Sequence, residues 1–210
     1  MGRFTAIVVL SVFVVACQSQ APPVASPVPS PSPHAAPTLA ILQSGDVPAG
    51  LNVCLGSGPI DVHISSLAHA DATLAQHEAA QWEQLRGAGA TGGAISLFTA
   101  NAAACNAELG ATNNIKSITS VVAIFDDPGQ ADRAWESGVF GFTPPAVGEI
   151  LPGMTRGSDT GLGISSWTYS RAPVQVASWH KSLFVALVVA GSLDAATFKA
   201  ATAAVDARLN

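Results

Sequence analysis

Few side chains in this chain could do chemistry. They are three cysteines, five histidines and a handful of scattered carboxylates and hydroxyls. His63, His69 and His77 invite a metal, but two ligands on one helix usually sit three or four residues apart. His69 and His77 are eight apart, so one helical face does not present them together, and no metal site is expected. Ser165 follows Gly161-Leu162-Gly163-Ile164, yet no glycine comes after it as a nucleophile elbow requires. No histidine is placed by sequence as its base, and His180 could serve only if the fold brought it there. Glu78, Glu108 and Glu149 form no recognisable carboxylate pair. The run Gly87-Ala88-Gly89-Ala90-Thr91-Gly92 matches G-x-G-x-x-G. The phosphate-binding version follows a strand and opens a helix, whereas here a helical pattern precedes and a strand-like run follows, so the run reads as a helix-to-strand connection. The sequence therefore assigns no catalytic residue and implies no cofactor.

The first seventeen residues carry an address. Arg3 and the amino terminus supply positive charge, and residues 6–16 are apolar apart from Ser11, the layout of a secretory signal peptide. Eleven residues fall well short of the ~20 that span a hydrocarbon core. The order Val14-Val15-Ala16-Cys17 resembles a bacterial lipobox, in which a cysteine is lipidated before cleavage leaves it as the first residue; valine stands where leucine is commoner. The resemblance implies lipidation at Cys17 and a cell-membrane location, with the chain facing the extracytoplasmic side.

If Cys17 carries lipid, Cys54 and Cys105 remain, and outside the cytoplasm two thiols usually pair. Closing a loop of that length would stabilise by about 4 kcal/mol in the chain-entropy account. The alternative, a reactive or metal-binding pair, lacks adjacent Cys or His at ligand spacing. Residues 18–38 hold seven prolines among Ser and Ala, a composition that favours extended polyproline conformation and buries no core. At about 3.1 Å per residue this tether reaches roughly 60 Å. Nine basic against fourteen acidic residues argue against a nucleic-acid partner, which selects clustered positive charge. With 49% apolar and 11% charged residues, positions 39–210 are expected to fold as one domain.

Within that domain, residues 66–86 read as a helix stopped at Gly87, with Leu74, Ala75, Trp82 and Leu85 on one arc. Glu78 falls inside the arc, where a carboxylate needs a rim position or a partner. Residues 94–99 read as a strand, and 101–109 as a short helix capped by Asn101 and carrying Cys105. The clearest strand is 118–125, β-branched and apolar on both faces, hence central. Asp127, Pro128 and Gln130 then mark a helix start, with Ala131, Ala134 and Trp135 as its buried stripe. Residues 141–163 form the longest irregular stretch, and loops of such length often carry function. Three strands follow at 164–171, 174–180 and 183–190, the first with Trp167 and Tyr169 on one face and Ser166, Thr168 and Ser170 on a wet one. Asp194 or Ser192 caps a last helix with Phe198, Ala201, Val205 and Leu209 as its core stripe. The expected class is α+β: a mainly antiparallel sheet of about five strands with helices packed on one face.

The lipobox, the Pro/Ser tether, the cysteine pair, Gly161-Leu162-Gly163 and the hairpin at Lys181-Ser182 together resemble small lipoproteins of GC-rich bacteria. The layout of residues 161–209 is similar to the extracellular sensor domains of mycobacterial receptor serine/threonine kinases, although one cysteine pair stands where two are usual and no kinase segment is present. This resemblance implies a binding or sensing module and carries over no catalytic residue. The expected function is a lipid-anchored extracytoplasmic binding or sensing lipoprotein, held to the membrane through Cys17 and taking a small molecule or an envelope protein. Its ligand site is expected beside the 141–163 loop, at Arg156, Trp167, Tyr169 and Trp179. The alternative is a structural or protein-interaction lipoprotein of the envelope. A hydrolase, third, requires Ser165 or another hydroxyl beside His180 or His63 and a carboxylate.

Overall fold

Two strand-forming runs that are apolar on both faces decide the architecture, because each face needs its own cover. The computed structural model describes residues 35–110 and 114–210. Its elements begin with α1 (Pro37–Ala40), β1 (Asn52–Val53), β2 (Gly58–Pro59), α2 (Ile60–Ala68), α3 (Ala72–Gly87), β3 (Ala90–Thr99) and β4 (Ser117–Phe125). They continue with α4 (Pro128–Ser137), β5 (Met154–Arg156), β6 (Ser166–Arg171), β7 (Val174–Lys181), β8 (Phe184–Gly191) and α5 (Ala195–Asp206). Among the described residues, eight strands form one sheet in the order β1-β3-β4-β8-β7-β6-β5, with β2 also on β3. Every pairing is antiparallel. Cys17 and the leader lie outside the described residues. Pro37 and Thr38, the end of the proline-rich stretch, already belong to α1.

The α+β class is as expected, but the sheet is larger and helices cover both of its faces rather than one. Val121, Ala123 and Phe125 of β4, with Val185, Leu187 and Val189 of β8, pack under Ile60 of α2, Trp82 and Leu85 of α3, and Ala131, Ala134 and Trp135 of α4. Ile118 and Val122, with Phe184, Ala186, Val188 and Ala190, face the other way. There they meet Phe198, Ala201, Val205 and Leu209 of α5, together with Ala40, Ile41 and Leu42. One face of β3 comes so close to α3 that a Cβ on Gly93 would lie 2.8 Å from the Trp82 ring.

The expected helix over 66–86 is in fact two. His69 and Ala70 break it, and the Asp71 carboxylate accepts the Thr73 and Leu74 N–H groups at 3.0 Å, so α3 has a start of its own. Two other caps are as expected: Asp127 accepts from Gln130 N at 2.9 Å and Asp194 from Thr197 N at 2.8 Å. The loop over 141–163 is less irregular than its composition suggests, since it contains β5 and a 3₁₀ turn at Gly157–Thr160. Cys105 sits in a 3₁₀ turn, Ala102–Asn106, rather than an α-helix. It is bonded to Cys54, with Cα atoms 5.6 Å apart. That bridge fastens the turn between the two-residue strands β1 and β2 to the far end of β3, covering what would be a bare sheet edge.

The amino-terminal strap is tied to α5 by charge. Arg208 donates to both Asp46 oxygens, at 2.6 and 2.7 Å, and to the Ile41 carbonyl at 3.2 Å. Burial alone would raise the Asp46 carboxyl, but the bonds from Arg208 and from Gln43 N–H outweigh it and hold the group below its usual range. The partner Arg208 is raised by the same bond.

Two predictions follow from these ties. Replacing both cysteines by serine should lower unfolding free energy by about 2–5 kcal/mol, read as a shift in the urea midpoint between the oxidised protein and the double variant. Because the Asp46 carboxyl is depressed in the folded state, its contribution is fully present above the unfolded value of about 3.9 and disappears as pH falls through the folded one. The stability gap between the native protein and Asp46→Asn should therefore be largest near neutrality and close as pH falls through the depressed folded-state value, below the ordinary carboxylate range. An unchanged gap across that range would show that the carboxylate is not what holds the strap.

Candidate functional site

β6 alternates, and the alternation decides where a ligand could enter. Trp167 and Tyr169 face the core covered by α4, with Trp167 buried. Thr168 and Ser170 face the side of the sheet that α5 covers, Thr168 standing opposite Ala177 in the register. On that side α5 does not close fully against β6. A cleft of about 310 Å³ opens between them, lined by Thr168, Ser170 and Gln175 from the sheet and by Phe198, Lys199 and Thr202 from the helix. Gly161 and Leu162 form its third wall.

Each wall is held by local bonds. Gln175 is fixed by donating to the Leu193 carbonyl at 2.8 Å, and the Ser170 hydroxyl leans toward its oxygen at 3.5 Å. Thr160 donates to the Gly157 carbonyl and shares a hydrogen bond with the Ser166 hydroxyl. The same Thr160 oxygen accepts from Leu162 N at 3.0 Å, which pins the loop where it turns toward α5. Gly161 and Gly163 take φ of +79° and +105°, a conformation that favours glycine on either side of Leu162. At the start of α5, Asp194 is held below its usual range by the Thr197 N–H first and the Thr197 hydroxyl second. Lys199 has no carboxylate partner among the described residues, and none lines the cleft.

The four residues expected to bind ligand do not converge. Arg156 and Trp167 are register partners on β5 and β6, and Tyr169 shares their face. Arg156 is occupied: it pairs with Glu136 at 2.9 Å, donates to the Pro145 carbonyl, and lies 5.5 Å above the Trp135 ring. Trp179 points to the opposite face and is fully buried against α5. This cleft lies beside the end of the 141–163 loop, on the hydroxyl-bearing side of β6 and not the aromatic one. Sequence reasoning placed Ser166, Thr168 and Ser170 on a wet face, but Ser166 is buried and donates to the Gly163 carbonyl; it missed Lys199, which only the docking of α5 brings opposite the other two.

Two further clusters bear on chemistry. Ser165 donates to Asp132 Oδ1 at 3.1 Å, and His180 Nδ1 lies 3.3 Å from the same oxygen. His180 Nε2 is 2.7 Å from the Ser182 carbonyl. The carboxylate therefore stands between hydroxyl and imidazole, and the ring does not stand between serine and acid as a proton relay would need. The second cluster answers the expectation for Glu78, which is buried and paired with His63, Nε2 to Oε2 at 2.9 Å. His63 also borders a second cleft, of about 470 Å³, beside the Cys54 to Cys105 bridge, where His69 lies as well. His77 instead pairs with Glu108 at the surface. Among the described residues no group of three or more His, Cys, Asp or Glu side chains is placed to hold a metal, and no helix is long and apolar enough to cross a membrane. No protein-family profile, curated protein or solved structure matches the chain.

The Glu78 pair makes a clear prediction. Removing one partner of a buried hydrogen-bonded pair leaves the polar atoms of the other unsatisfied, at a cost of about 1–3 kcal/mol, whereas replacing both by apolar side chains of similar shape is nearly neutral. His63→Leu should therefore destabilise more than the His63→Leu, Glu78→Leu double variant in urea unfolding. The reverse order would mean that Glu78 is satisfied without its histidine.

Proposed function

We propose that the chain is a lipid-anchored, extracytoplasmic binding or sensing lipoprotein whose ligand occupies the cleft between α5 and the hydroxyl-bearing side of β6. One observation carries the reading: an opening with apolar walls at Leu162 and Phe198 and convergent polar groups at Thr168, Ser170 and Lys199. Such a combination is the usual make-up of small-molecule sites. The anchor is supported by the lipobox-like sequence ending at Cys17 and the proline-rich stretch after it. The disulfide suits an oxidising compartment. We assign the chain no catalytic role, because the hydroxyl, imidazole and carboxylate that meet at Asp132 are in the wrong order for nucleophilic catalysis.

A second reading, a protein-interaction lipoprotein of the envelope, is favoured by one patch. Val147, Ile150 and Leu151 of the proline-stiffened loop before β5 are 89%, 50% and 62% exposed. Apolar exposure of this kind marks contact surfaces when it is contiguous.

A metabolite screen against residues 34–210, with hydrogen exchange as readout, separates the two. The ligand reading expects protection confined to residues around Leu162, Thr168 and Phe198, lost in a cleft-filling Leu162→Trp variant that remains folded. A screen that protects nothing there, together with capture of an envelope protein that depends on Val147 and Leu151, would establish the second reading instead. Mass spectrometry of membrane extracts tests the anchor: a free Cys17 thiol would overturn it.

A further inference from the structure

We propose that the cleft beside α5 selects a small amphiphile with a single anionic head, of the carboxylate class, seated with its head at Lys199 and its chain against Leu162 and Phe198. The proposal rests on the ligand reading above and names the chemistry that reading leaves open.

The arrangement of α5 supplies the first argument. Residues four apart lie one above another on a helix, so Ala195, Lys199 and Ala203 form one ridge and Phe198 and Thr202 the next. Alanine one turn before and one turn after Lys199 leaves its side chain unobstructed on both sides. Phe198, by contrast, is only 6% exposed and forms the apolar floor. Head and tail contacts are therefore set side by side, about one helical step apart.

Charge supplies the second. The chain as a whole is acidic, at −5. Several of its cations are neutralised in place: Arg156 by Glu136, Lys181 by Asp206 and Arg208 by Asp46. Lys199 faces a cleft whose lining includes no acid. Thr168 adds a hydroxyl that makes no hydrogen bond among the described residues, so a second donor is available to the same head group.

A neighbouring cleft acts as an internal control. It lies on the other side of Leu162, has a volume of about 500 Å³, and is lined by Ile164, Ser165, His180, Lys181 and Asp206. There the lysine is already paired with Asp206 at 3.0 Å, and the acid itself faces the opening. A bare anion gains nothing on that side. The asymmetry across one leucine is what directs the head to Lys199.

The test is calorimetric titration of residues 34–210 with octanoate, octanol and octylamine. That fragment is one compact unit and contains both cores and the disulfide. Octanoate should bind at least tenfold more tightly than octanol, and octylamine should bind no better than octanol. Lys199→Gln should abolish that tenfold preference while leaving octanol unchanged, Lys199→Arg should retain it, and Leu162→Trp should remove binding of all three. Equal affinity for octanoate and octanol, or an indifferent Lys199→Gln, would overturn the anionic head. Failure of every probe overturns the amphiphile as a class. In either case a compound from the metabolite screen that still protects the Leu162 wall would leave the broader ligand reading standing.

Discussion

The constraint on which the rest of this fold depends is the two-sided burial of β4 and β8. Both strands alternate between two apolar faces, and neither face can be left to water. One layer of helices would have left Ile118, Val122, Phe184 and Val188 exposed. The chain meets the demand with unequal covers. Three helices, α2, α3 and α4, take one side, whereas the other receives α5 and the short amino-terminal segment around α1. The thinner cover is where the cleft opens, at the margin of the sheet where α5 passes over β6 without filling the space beneath it.

Much of this was legible in the sequence where a local physical signal was strong. The strands over 164–190 announce themselves by β-branched residues and a tight connection, and the turn at Ser182 indeed takes a positive φ of 56°. Asp127 and Asp194 were readable as caps because an acidic side chain before a helix has few other uses. The Cys54 and Cys105 pairing came from redox compartment and arithmetic, and the bond is there. What was illegible depends on partners distant in sequence. β1 and β2 are two residues each and have no pattern of their own. They exist because β3 offers an edge, with Cys54 N–H on the Leu97 carbonyl at 2.8 Å and the Ser57 hydroxyl accepting from Leu97 N at 3.1 Å. The break before Asp71 was missed because the apolar period resumes in phase on the far side.

The candidate site was half legible for the same reason. The alternation in β6 correctly separates an aromatic face from a hydroxyl face. Large aromatic side chains placed the expected ligand site on the aromatic face, although a tryptophan in a strand says only that something packs on it. Trp167 and Trp179 turn out to belong to two different cores, and Arg156 is used up by Glu136 and the Trp135 ring. Lys199 carried no sequence signal, because an exposed lysine on an amphipathic helix is ordinary; it acquires meaning only from the unneutralised space it faces.

α5 is held over the sheet by its buried stripe and by ties at both of its ends. At the start, Asp194 takes up the Thr197 N–H and hydroxyl, so the first turn cannot unwind toward the sheet. Just beyond the last turn, Arg208 grips Asp46 and the Ile41 carbonyl, and Lys181 holds both the Asp206 carboxylate and its carbonyl. Between these ties the side that meets the core is Phe198, Ala201 and Val205, spaced to reach Trp179 and Phe184. The neighbouring ridge contributes only alanines and one lysine over β6. A larger residue at 195 or 203 would fill the gap, and a shorter helix would lose the grip on the strap. The cleft therefore lies where α5 presents its small residues toward β6, while Phe198, Ala201 and Val205 seat the helix on the core beside it.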